Sequence, residues 1–287
     1  MRAIYKNEVA TYFSTLIGYI VIAFLLLFAG IFTSYLCLKR ASAHFEYVMA
    51  NMTLVFLIVV PILTMRTFSE ERKQKTEALL YSAPVTTAKI VFGKYLALLT
   101  VLAIPLAIIS LIPLALGLFG RVYYLSSYVA IGGFFLLGAA LLAVGMFISS
   151  LTDIQILAAG LTFVLLLVNY FLGVVAPMIS TEAYVSLIAL LVLSVAVGVV
   201  VALMVKNWIV GSAIAVIGAA VSTVIYLVRP TAYTNLLMVT MRDAALFDRY
   251  NTLMYSIVNG RDLLLLISVA VFFVFLTVQS LEKRRWS

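Results

Sequence analysis

Arg66-Thr67-Phe68-Ser69-Glu70-Glu71-Arg72-Lys73-Gln74-Lys75-Thr76-Glu77-Ala78-Leu79-Leu80-Tyr81-Ser82-Ala83-Pro84 is the most charged stretch of the chain, and it lies between two apolar blocks, Met52 to Met65 and Leu96 to Leu118. Working outward from it, nearly every other segment is hydrophobic. Of the 287 residues 65% are hydrophobic and 10% charged, against about 25% charged in a soluble domain. The mean hydropathy is +1.20. The chain therefore reads as an all-α polytopic membrane protein, and a compact charged helix kept between two of its spans is there to touch something in water.

A bilayer core of roughly 30 Å takes about 20 apolar residues per helix. Runs of that kind predict spans at Leu16 to Leu38, Met52 to Met65, Tyr95 to Leu118, Ser127 to Ser149, Ile154 to Ala176, Ala183 to Val205, Trp208 to Val228 and Leu263 to Leu281, eight in all. An even count puts both termini on one side. With the charged stretch on that side, twelve Lys and Arg fall there and seven on the other, so the positive-inside rule makes it cytoplasmic.

The net charge of +8 does not point to nucleic acid, because the cations flank spans and form no stripe. Cys37 is the lone cysteine and reads as a packing residue. Ile4, Tyr5, Val9, Tyr12, Phe13 and Leu16 repeat at helical spacing opposite Arg2, Lys6, Asn7 and Ser14, an interfacial amphipathic helix over residues 1–15 that leads into the first span. Arg2 and Lys6 before an apolar run also match the start of a signal peptide, but no small-x-small cleavage site follows. Pro61 predicts a kink in a short second span. Gly132, Gly133, Gly138 and Gly145 offer close helix approach in the fourth. Residues 229–262, a mixed polar segment on the far side, predict short surface or re-entrant helices.

Within the charged stretch, Thr67 and Glu70 have capping-box spacing, and Pro84 ends the helix, which occupies a loop over 66–89. Thr76, Leu79, Leu80 and Ala83 fall at i, i+3, i+4 and i+7, an apolar stripe. A helix resting in anionic headgroups through Arg72, Lys73 and Lys75 is the plainer alternative, but Glu70, Glu71 and Glu77 gain nothing there.

The predicted spans hold no ionisable residue, so a carrier driven by protons or ions is disfavoured. Asn169 and Tyr170 form the most polar pair at membrane depth and serve equally as a helix-to-helix hydrogen bond or a substrate contact. Glu70-Glu71 superficially resembles the paired glutamates of CAAX-type membrane proteases, but the only histidine, His44, belongs to a predicted outer loop. No zinc, nucleophile or phosphate-loop motif is present, so the chain is not expected to be an enzyme.

Glu70-Glu71-Arg72-Lys73-x-x-Thr76, then Leu79-Leu80, Pro84-Val85 and Ile90-Val91-x-Gly93-Lys94, resembles the first cytoplasmic loop of ABC-2 type permeases, closest to the gliding-motility and nitrous-oxide-operon branch. Phe247-Asp248-Arg249-Tyr250, Arg261-Asp262-Leu263, Leu281-Glu282-Lys283-Arg284-Arg285-Trp286 and Ile4-x-x-x-Glu8 carry the same resemblance. Lys75 and Ser256 stand where many relatives have Gly. The resemblance implies one permease domain over 1–287, a core of about six spans with an added hydrophobic hairpin at 182–228.

It further implies a coupling helix that docks on a cytoplasmic ABC ATPase, with Leu79 and Leu80 as anchors, Glu70, Glu71, Arg72 and Thr76 as polar contacts and Pro84 as terminator. ATP and magnesium then belong to that partner, and this chain holds no cofactor. A second permease copy, identical or similar, is implied, in a bacterial cytoplasmic membrane with its lipid around it. The expected function is export of a substrate compatible with an apolar lining. The alternative is mechanotransmission to an extracytoplasmic accessory protein without a translocated substrate.

Overall fold

The computed structural model describes residues 1–39, 44–73, 86–118, 120–205, 207–255 and 260–286. These are helical with no strand among them. The helices are α1 (Arg2–Ser14), α2 (Ile17–Phe32), α3 (Glu46–Met52), α4 (Phe56–Thr64), α5 (Ser69–Lys73), α6 (Thr87–Ile109) and α7 (Ile112–Gly117). They are followed by α8 (Tyr124–Leu151), α9 (Gln155–Val175), α10 (Ala183–Val205), α11 (Trp208–Val228), α12 (Leu236–Ala244), α13 (Leu246–Tyr255) and α14 (Gly260–Trp286).

Seven helices among the described residues are long and apolar enough to cross a bilayer: Ile17–Lys39, Glu46–Lys73, Thr87–Gly117, Tyr124–Leu151, Gln155–Met178, Trp208–Val228 and Gly260–Arg284. The predicted sixth span falls on α10, whose described apolar stretch is Ala183–Val199. The second span is longer than its apolar run suggests, starting at Glu46, because Val48, Met49 and Met52 are buried and carry the helical face upstream. A 3-10 turn at Thr53–Val55 joins α3 to α4, and Pro61 sits inside α4.

The chain divides into two compact units, residues 1–168 with 246–287, and residues 169–245. Helices α10 and α11 pack on each other and belong to the second unit together with α12. Within that unit Gly218 lets Ser194 approach closely. The predicted short helices between the last spans are α12 in the second unit and α13 in the first.

The first unit is organised around α8, which buries 78% of its span window. Lipid offers no hydrophobic drive between helices, so close association relies on small residues that admit large neighbours. A Cβ on Gly138 would meet Leu102 at 2.5 Å and Phe56 at 2.8 Å, and one on Gly145 would fall on Thr64. Gly133 faces Tyr250 and Leu253, while a Cβ on Gly132 would meet nothing. Phe56 stacks on Phe134 at 4.2 Å between ring centroids, and Tyr250 donates to the Ala130 carbonyl at 3.1 Å.

Candidate functional site

The charged ends of the first unit's helices gather at one end of the bundle, around the root of the charged stretch. Helix α1 is not merely laid on an interface; it is docked on α6. Residues one turn apart share a helix face, and α1 uses this register: Ile4 sits over Gly93, where a Cβ would come within 3.2 Å of it, and Glu8, one turn on, reaches Lys94 at 2.5 Å. Tyr5 and Thr100 share a hydroxyl hydrogen bond of 3.0 Å. A further turn along, Tyr12 is buried and donates to the Leu63 carbonyl of α4 at 3.0 Å. Burial, helped by the nearby Glu8 carboxylate, holds the Tyr12 phenol well above its ordinary value, so it stays a donor at neutral pH. Beyond α1 the chain turns at Leu16, which adopts φ 61°, into α2.

Lys94 is the centre of this arrangement. It is 2% exposed and also donates to Glu71 at 2.7 Å, with its ammonium 5.3 Å from the Phe68 ring centroid. A buried ammonium is tolerated only where carboxylates neutralise it, and here they come from α1 and from α5. One lysine on α6 thus ties the amino-terminal helix to the start of the charged loop.

The rest of the loop's root is pinned too. Arg66 grips Glu70 with two hydrogen bonds, one through Nη2 at 2.6 Å and one through Nε. Glu70 therefore serves Arg66, and the predicted capping box gives way to a helix that runs on from the second span, with Ser69 donating to the Met65 carbonyl. The Phe68 amide donates to Ser149 Oγ at 3.2 Å. Arg72, its side chain 4% exposed, donates to the Thr152 carbonyl and to Asp153, both at 3.3 Å. Arg284 of α14 reaches the same carboxylate at 3.3 Å and the Leu151 carbonyl at 2.9 Å.

The structure thus brings together Glu70, Glu71 and Arg72 of the predicted site. Thr76, Leu79, Leu80 and Pro84 lie outside the described residues. Lys94, Glu8, Asp153 and Arg284 are members that reading by segment missed. A signal was present, because Ile4-x-x-x-Glu8 and Gly93-Lys94 are matched pairs, but only packing shows that they meet. The spanning helices run past their apolar runs and take in Glu46, Arg66, Glu70, Lys94 and Asp262 in those extensions, while the apolar runs themselves hold no Asp, Glu, Lys, Arg or His.

At the other end of the unit, Arg249 and Asp262 form a 2.7 Å ion pair with both side chains buried. His44, read as a solvated loop residue, bonds Glu46 at 2.7 Å and stacks on Tyr123. Glu70 and Glu71 are engaged by Arg66 and Lys94, an ion-pair arrangement in place of a protease dyad. Asn169 donates to the Ala244 carbonyl at 2.9 Å within the second unit, the helix-to-helix bond that was one of its two readings, and Tyr170 meets Phe171 edge to face at 6.0 Å.

Residues 38–278 match the family described as ABC-2 family transporter protein. No curated protein and no solved structure matches the chain. The match takes in the loop root at 66–73, Lys94 and the Arg249–Asp262 pair, while Glu8 and Arg284 lie outside its limits. With its all-helical, multi-pass membrane architecture and a match over most of its length, the chain belongs to the ABC-2 transporter family, as a non-catalytic permease subunit of an ABC transporter.

Proposed function

We propose that this permease is an exporter subunit driven by a separate cytoplasmic ATP-binding subunit that docks on the loop after the second span. The observation that carries the reading is Lys94, buried between Glu71 at the root of that loop and Glu8 of α1. A push on the loop is then shared at once by α1 and α6, because separating α1 or the loop from α6 removes one of the two carboxylates that neutralise the buried Lys94. Arg72 extends the linkage to Thr152 and Asp153 in the turn after α8, and Arg284 of α14 joins it there.

In this reading the residues divide by role. Glu70, Glu71 and Arg72 root the loop, while Thr76, Leu79 and Leu80 meet the ATPase, with Leu79 and Leu80 filling an apolar groove and Pro84 ending the helix. ATP and magnesium are held by the partner. Two permease copies pair so that each of two ATPase subunits has one loop to grip, and closure of the ATPases drives a rigid-body switch. The charged end is cytoplasmic, in keeping with the Lys and Arg bias. Asn169 and Tyr170 remain the candidates for polar contact with a substrate, Asn169 in competition with its bond to Ala244.

The test is purification of the tagged chain from its native membrane in mild detergent. A stoichiometric ATP-hydrolysing partner is expected with the wild type and absent with Leu79→Asp/Leu80→Asp, which still inserts. Undiminished transport by the double variant would sink the proposal.

A further inference from the structure

A cavity of about 490 Å³ opens on the membrane-facing side of the first unit, between α6, α8 and α14. Phe92 and Leu99 of α6, Phe135 and Ala139 of α8, and Val271 and Phe275 of α14 line it. Its one lining hydroxyl, on Tyr95, is already donated to the Ala139 carbonyl at 3.0 Å. The groove therefore makes no polar demand on an occupant.

Its length discriminates between occupants. It extends along α6 from Ala88 to Leu99 and along α14 from Leu266 to Val278. At ~1.5 Å rise per residue each wall runs roughly 17 Å, close to half of a hydrocarbon core of roughly 30 Å. A spanning helix from a second copy needs a seam across the whole core, whereas one acyl chain needs the depth of one leaflet. One end of the groove lies at Ala88, beside the exposed Lys89 and at the start of α6. A phosphate placed there complements that cation, and ~1 kcal/mol per basic residue is the attraction expected at an anionic surface.

We propose that this groove is a phospholipid site: one acyl chain lies against α6, α8 and α14, and the anionic headgroup rests at Lys89. The occupant is a lipid of the leaflet on the charged side, held as a fixed wall of the first unit and distinct from the exported substrate.

The experiment is native mass spectrometry of the delipidated full-length protein after exchange with vesicles of phosphatidylglycerol or of phosphatidylcholine. The wild type is expected to retain a single phospholipid, with phosphatidylglycerol favoured about fivefold, the factor equivalent to ~1 kcal/mol. Ala270→Phe, which fills the groove, should abolish retention, while Leu264→Phe, on an exposed position outside the lining, should not. Lys89→Glu should keep binding but lose the headgroup preference. No retained lipid in the wild type, equal retention by Ala270→Phe, or loss of a second copy from Ala270→Phe without any change in lipid would each overturn the proposal. None of these outcomes touches the ATPase-docking reading, whose own test is separate.

Discussion

The two ends of the first unit are each fastened by a buried cation, but the fastenings differ in reach. Arg249 finds Asp262 only 13 residues along the chain, and the pair holds α13 against the start of α14. Lys94 instead gathers Glu8 from 86 residues away and Glu71 from 23, joining three helices at the root of the charged loop. The first device is a local clamp. The second ties three elements together, and it sits at the root of the loop proposed above to meet the ATPase. Similar chemistry yields a staple or a linkage according to how many independent elements supply its charges.

The strongest test of this contrast removes the shared cation. Lys94→Met leaves two carboxylates confined without a counter-charge and is expected to lower stability by ~3–5 kcal/mol, read as a large drop in the thermal midpoint of the detergent-purified protein. Adding Glu8→Gln and Glu71→Gln to that variant should restore most of the midpoint without restoring partner-driven transport. A midpoint unchanged by Lys94→Met would end the account of Lys94 as the hub.

Next comes the clamp. Asp262→Asn keeps the shape but deletes the charge and is expected to cost ~2 kcal/mol, with ATPase coupling intact because no loop element is involved. Coupling lost alongside the midpoint would erase the distinction between the ends. Gly145→Val, which forces a side chain onto Thr64, should cost ~1–3 kcal/mol, whereas Gly132→Val, facing open space, should stay within about 0.5 kcal/mol.

Tyr12→Phe is expected to cost only ~1 kcal/mol, for the lost bond to the Leu63 carbonyl. Its pH signature is sharper than its size. The folded state holds the phenol's proton above the ordinary value of 10.0, so the wild type is unaffected below that pH and loses stability as pH rises past it toward the folded value. Tyr12→Phe should therefore show a flatter alkaline stability profile than the wild type in the same scan.

Much of this was legible from residue order. The spans follow from apolar run length, and the charged stretch stood out because every other segment had to satisfy lipid. The starts and ends of the spanning helices were less legible. A run-length criterion stops at the first charge, whereas α6 and α14 continue through Lys94 and Asp262, whose charges are neutralised by Glu8 with Glu71 and by Arg249. The second span's true start at Glu46 was hidden for the same reason, because His44 supplies that carboxylate with a partner.

By itself the sequence determined the class of protein and the approximate number of membrane-crossing segments, and it singled out the charged stretch. Those properties depend on composition and on distances along the chain. Which glycines of α8 are needed, which helix Glu8 serves, and that Glu71 and Arg72 face inward as roots of the loop were decided only by tertiary structure. The physical reason is that charge neutralisation and close helix approach act between elements up to 86 residues apart, and no local periodicity records which carboxylate a buried lysine will meet.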